Sequence, residues 1–159
     1  MARYASLNVG DLAAEETLRA KSISLGGDPR NESVDSDTGK KLVDGVTFTI
    51  GTEAANVINV AMQLLAGGVA LGRSAVVDVY LSDDADGIGI SGTAPATSVA
   101  IGTDGSIIFT KTAKLAFEVD SEVDGDIDMD ITETGGDTWY MVVVANGIKY
   151  VSDAITFVS

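Results

Sequence analysis

The sequence predicts an all-β chain: an immunoglobulin-like antiparallel β-sandwich with an extended N-terminal arm. Three observations carry this. From Val43 onward apolar side chains recur at every second position, the period of a half-buried strand. Clusters of Gly, Asp, Asn and Ser punctuate the chain at intervals of roughly 8–12 residues, which marks out about eight or nine short strands. Two of the breaks, Asp104-Gly105 and Asn146-Gly147, are dipeptides favoured in type I′ hairpin turns. The disulfide of antibody domains is absent, since there is no cysteine, and Trp139 is the one tryptophan that a core can use.

Residues 1–42 read differently, as an arm that docks on a partner subunit or on the body. Their large apolar residues are sparse and irregular, and Gly26-Gly27-Asp28-Pro29 and the polar run from Asn31 to Lys41 lie between them. One short helix is expected from Leu12 to about Ala20, with Asp11 as its cap and Glu15 paired to Arg19. A helix this short is marginal in water unless it lies on a surface. Tyr4, Leu7, Val9, Leu12 and Leu18 are the candidate anchors of that contact.

The body, 43–159, follows in order. Val46, Phe48 and Ile50 alternate with threonines, and Ile58, Val60, Met62 and Leu64 alternate with Asn59, Ala61 and Gln63. Gly67-Gly68 and Gly72 read as a loose connection to Val77, Val79 and Leu81. From Ser82 to Pro95 the chain is a polar, Gly-rich loop. Ser98–Ile101 and Ser106–Phe109 flank Asp104-Gly105 as a predicted hairpin. Leu115, Phe117 and Val119, then Ile127, Met129 and Ile131, show clean alternation with charged neighbours. Thr138–Ala145 is the densest run of aromatic and β-branched residues and reads as a central strand. Asn146-Gly147 turns it back into Ile148–Val151, and Ala154–Val158 closes the chain. Parity puts Trp139, Met141 and Val143 on one face of the central strand and Tyr140, Val142 and Val144 on the other. Both faces are apolar, whereas a sandwich covers only one. Tyr140, Val142 and Val144 are therefore expected at an interface or in a core, under a partner subunit or the arm.

Composition narrows the function. With 10 basic and 24 acidic residues the net charge is −14, which argues against a surface that tracks nucleic-acid phosphates. Without histidine or cysteine the usual general base, the usual zinc ligand and thiolate chemistry are all missing. No run approaches the roughly 20 apolar residues of a membrane span, and no signal-peptide core follows Met1, so synthesis in a cytoplasm is expected.

Candidate binding motifs have simpler explanations. Asp126, Asp128 and Asp130 share one strand face with Asp124 at its mouth, but residues two apart on a strand stand nearly 7 Å apart, too far for one Ca²⁺. They read as a solvated acidic face. Asp83-Asp84-Ala85-Asp86-Gly87 and Asp35-Ser36-Asp37-Thr38-Gly39 each resemble half of a calcium loop, without its distal Glu, and read as turns. Gly87-Ile88-Gly89 lacks the third glycine and the helix of a phosphate cradle. Nothing singles out a carboxylate pair for glycoside hydrolysis, and Tyr80, Trp139, Tyr140 and Tyr150 suit a core or interface better than a sugar platform. The expectation is a non-enzymatic protein with no cofactor and no metal.

Five segments carry a resemblance: Val77–Gly87, Val99–Gly105, Ser121–Asp128, and Thr138-Trp139-Tyr140 with Val151–Ile155. Together they resemble small β-rich virion structural proteins of tailed bacteriophages, over about residue 75 to the C-terminus. The resemblance implies a head decoration, or cement, protein that binds the major capsid protein on the outside of the shell. It also implies a homo-oligomer, a trimer at quasi-threefold positions, made in the host cytoplasm, with no catalytic residues, nucleic acid or membrane involved. A tail or fibre component that touches a receptor through the loop from Asp83 to Pro95 is the alternative. A secreted calcium- or sugar-binding module is a third.

Overall fold

Ten strands make up the fold in the computed structural model, which describes residues 42–158. The arm anchors Tyr4, Leu7, Val9, Leu12 and Leu18, the expected helix and the Asp35–Gly39 turn lie outside the described residues. The strands are β1 (Gly45–Ile50), β2 (Val57–Ala66), β3 (Val69–Ala70), β4 (Val76–Ser82) and β5 (Ser98–Ile101). After them come β6 (Ser106–Thr112), β7 (Ala116–Asp120), β8 (Asp126–Thr132), β9 (Thr138–Ala145) and β10 (Ile148–Thr156).

Sheet one runs β1-β2-β8-β5, with β3 also paired to β2, and sheet two runs β10-β9-β4-β7-β6. All these pairs are antiparallel. Set beside the A-B-E-D and G-F-C sheets of an immunoglobulin domain, β1-β2-β8-β5 and β10-β9-β4 follow the same order. The β6–β7 hairpin is an insertion that widens sheet two. The all-β, immunoglobulin-like sandwich expected from the period of two is what forms.

The core lies between the sheets and is filled by the predicted parity. Ile58, Val60, Met62 and Leu64 of β2 and Ile127, Met129 and Ile131 of β8 face Val77, Val79 and Leu81 of β4 and Trp139, Met141 and Val143 of β9. Each such side chain contributes roughly 1.5–3 kcal/mol by leaving water. Trp139 meets Phe157 edge-on, with ring centroids 6.1 Å apart at 73°.

Asn146 and Gly147 have φ of 50° and 76°, the two positive values that a type I′ turn needs, and they join β9 to β10 as predicted.

Three local expectations are corrected. Asp104-Gly105 closes no hairpin: β5 pairs with β8 in sheet one and β6 with β7 in sheet two, and only Gly105 of the dipeptide has positive φ. The dipeptide turns a corner between sheets, where the Asp104 carbonyl accepts the Asp128 N–H at 2.9 Å. The real hairpin joins β6 to β7 through Lys114, at φ 59°, and no Gly or Asn marks it. Gly67-Gly68 is the turn of a β2–β3 hairpin, not a loose connection. Finally, Ile148–Thr156 is one strand with a bulge between Val151 and Ala154, where the Ser152 hydroxyl accepts the Met141 N–H at 2.9 Å and stands in for a ladder bond.

Candidate functional site

The outer face of sheet two raises the question of cover. Across it Lys149, Val144, Asp78 and Glu118 form one row, and Val151, Val142, Tyr80 and Ala116 form the next. Val142 is fully buried. Among the described residues its cover comes from the chain itself. The loop between β4 and β5 folds back over the sheet and lays Gly87 on Val142 and Val151. A Cβ built on Gly87 would stand 2.9 Å from a methyl of each valine. Tyr140 and Val144 on either side remain half-buried.

Five side chains brace this loop. The Tyr80 hydroxyl donates to the Gly87 carbonyl at 2.8 Å, and burial pushes that phenol upward from its ordinary pKa. Lys149 donates to the Asp86 and Gly87 carbonyls. Asp84 accepts the Asp86 N–H at 2.7 Å, an Asx turn. Asp83 accepts from the Ser91 hydroxyl at 2.5 Å and the Gly92 N–H at 3.0 Å. The Trp139 indole reaches out of the core to the Thr93 carbonyl at 3.0 Å and the Ser91 oxygen at 3.2 Å. What resembled half of a calcium loop thus spends Asp83 and Asp84 on its own turns.

Past Gly87 the loop turns outward. Ile88 and Ile90 are 71% and 49% exposed at its tip, flanked by the exposed carboxylates of Asp83, Asp84 and Asp86. Apolar side chains held in water at the tip of a braced loop favour contact with another surface.

The acidic strand lies on the other sheet. Asp126, Asp128 and Asp130 point outward from β8 beside a shallow groove lined by Thr47, Thr49, Ala61 and Gln63. Asn59 donates to Asp130 at 2.9 Å, and the Thr103 hydroxyl donates to Asp128. Partial burial, then Asp124, Asp104 and Asp128, hold the Asp126 carboxyl above its ordinary pKa. No group of carboxylates converges tightly enough to hold a metal among the described residues. The four aromatics form no platform, because Trp139 and Tyr150 lie on the inner side of sheet two and Tyr80 and Tyr140 on the outer.

Glu133 is 3% exposed just past β8. Its carboxylate accepts the N–H groups of Ala96 at 2.6 Å, Thr134 at 2.6 Å and Gly135 at 2.7 Å. The Ala96 bond above all, opposed by burial and helped by Gly135, Thr134 and Lys114, holds its pKa below the usual carboxylate range. The signal was there: Glu133 continues the inward parity of Ile127, Met129 and Ile131. A depressed carboxyl stabilises the fold above its unfolded pKa near 4.3, and the contribution is lost as pH falls through the folded value. Glu133→Gln should therefore cost about 1–3 kcal/mol at pH 7, and the gap from wild type should shrink as pH drops below about 4. Urea titrations of both proteins at pH 7, 5 and 3.5 check this; a gap that widens in acid would contradict it.

No family model and no curated protein matches the chain. Among solved structures it is similar to the GAE domain of GGA2p from Saccharomyces cerevisiae, with 11% identity over 74% of this chain and 96% of that one. The TM-score is 0.29, a likeness too slight to carry an argument.

Proposed function

We propose that this chain is a non-enzymatic decoration protein of a tailed-bacteriophage head, which docks on the outer surface of the major capsid protein shell and stabilises it. The observation that supports this best is the braced loop with Ile88 and Ile90 at its tip: a rigid body that presents apolar side chains to a partner. Resemblance of residues from about 75 onward to phage virion proteins points the same way. Carboxylates around the tip call for a shell surface with an apolar pocket and a basic rim. Tyr4, Leu7, Val9, Leu12 and Leu18 supply a second contact, so that two weak attachments act together. The protein is made in the host cytoplasm and resides on the capsid surface.

The same loop tip also suits a tail or fibre component that touches a receptor, which makes location the discriminating fact. Heads assembled without the protein provide the test, with the purified chain added back and co-sedimentation measured. Wild type should saturate the heads at hundreds of copies. A chain lacking residues 2–20, and the double variant Ile88→Asp/Ile90→Asp, should each remain folded and bind at least tenfold more weakly. Undiminished binding by the shortened chain would refute the arm's role, and no binding by wild type would refute the reading itself.

A further inference from the structure

The body begins at a joint that two turns hold in place. Val43 is buried at the rim of the core. The Asp44 N–H donates to the Leu65 carbonyl at 3.0 Å, and the Asp44 carboxylate accepts the Gly67 N–H at 2.9 Å, so the chain entering β1 is fixed to the β2–β3 turn of its own sheet. From sheet two the Asn146 carboxamide, on the β9–β10 turn, donates to the Val43 carbonyl at 2.8 Å. A side chain from one sheet thereby clasps the first strand of the other.

The same asparagine stands where its own chemistry can undo the clasp. Asn8, Asn31, Asn56 and Asn59 precede Val or Glu, whereas Asn146 precedes glycine. A glycine presents its backbone nitrogen with no side chain beside it. Asn146 and Gly147 are both exposed, and a Cβ built on Gly147 would meet nothing within 4 Å. The β9–β10 ladder closes at Ala145 and Ile148, which leaves the Gly147 nitrogen outside it. The bond to Val43 holds the carboxamide in place, so the reaction waits on release of the clasp.

We infer that Asn146 is a site of spontaneous deamidation, through which the chain loosens this joint with age. The Gly147 nitrogen loses its proton and bonds to Asn146 Cγ, the Cγ–Nδ2 bond breaks, and ammonia leaves. Water then opens the succinimide at either of its carbonyls and leaves aspartate or isoaspartate at position 146. No electrons are exchanged, and water is the sole co-reactant. Both products replace the amide donor with a carboxylate, which sets acceptor against acceptor at the Val43 carbonyl. They also add a negative charge close to Asp44 in a chain already at −14. Isoaspartate further lengthens the backbone of a two-residue turn by one carbon, which spoils the match between type I′ geometry and strand twist. The inference does not rest on the virion reading.

Peptide mass spectrometry on the full chain, held at about pH 8.5 and 37 °C for some weeks, reads the reaction directly. Position 146 should gain about 1 Da roughly tenfold faster than Asn56 or Asn59, and Gly147→Ala should slow the gain roughly tenfold. Amide hydrogen exchange followed by NMR reads the consequence. In the deamidated fraction, and in Asn146→Asp, the Asp44 and Gly67 amides should exchange roughly tenfold faster, with the Val143 amide in the core unchanged. A gain at Asn146 no faster than at the other asparagines would overturn the modification site. Unaltered exchange at Asp44 and Gly67 in both proteins would overturn the clasp, and so would a rise shared equally by Val143, since the loss would then be global.

Discussion

Trp139→Ala should lower folding stability by about 3–5 kcal/mol, the largest loss expected from any single substitution in the body. The side chain is buried in β9 against Phe157, and truncation leaves a cavity that two packed sheets cannot collapse into. A second consequence is specific to this fold. The indole N–H holds the Thr93 carbonyl and the Ser91 oxygen, and Ser91 in turn donates to Asp83, so the core tryptophan anchors the far end of the covering loop. Trp139→Phe keeps most of the volume and loses only the hydrogen bonds, so about 1–2 kcal/mol is expected. Urea denaturation followed by circular dichroism separates the two. A loss below about 1 kcal/mol for the alanine variant would mean that the core is not built as described.

Gly87→Val should cost about 2–4 kcal/mol although it adds apolar surface, because two effects combine. The backbone there has φ of 64°, a left-handed conformation that a β-branched residue enters at a cost of roughly 1–2 kcal/mol. The new Cβ also stands 2.9 Å from the methyls of Val142 and Val151, so the loop must lift and the face beneath it must wet. Gly89→Ala is the control. Its φ is also positive, 82°, but nothing lies within 4 Å of the added carbon, so only the backbone cost of about 1 kcal/mol should appear. Protease cleavage between Asp84 and Ile90 should rise sharply for Gly87→Val and little for Gly89→Ala. Equal stability of Gly87→Val and wild type would show that the loop does not cover the sheet.

How far this was readable depends on which residues carry the signal. Alternation in β2, β4, β8 and β9 identified the core faces, because a period of two with one face buried leaves little freedom of register. Asn146-Gly147 identified its turn because both residues accept positive φ. Asp104-Gly105 carries a similar local signal and misled, since the identity of a strand's partner is decided by packing across the sandwich, not by the dipeptide between neighbours. The β6–β7 turn was silent because Lys114 takes positive φ without any residue that advertises it. Most instructive is Val142. Its side chain lies on the outer face, and Gly87 packs on it, a contact whose contribution is the absence of a side chain. Hydrophobic patterning has no way to register that contact. Glu133 was readable by parity alone, as an acid in line with three core residues.

The virion assignment is tested most directly by cryo-electron microscopy of heads assembled with and without this chain. The account predicts density at regular lattice positions on the outside of the shell, present in the first map and missing from the second. Identical shells in the two maps, or density confined to the tail, would contradict it.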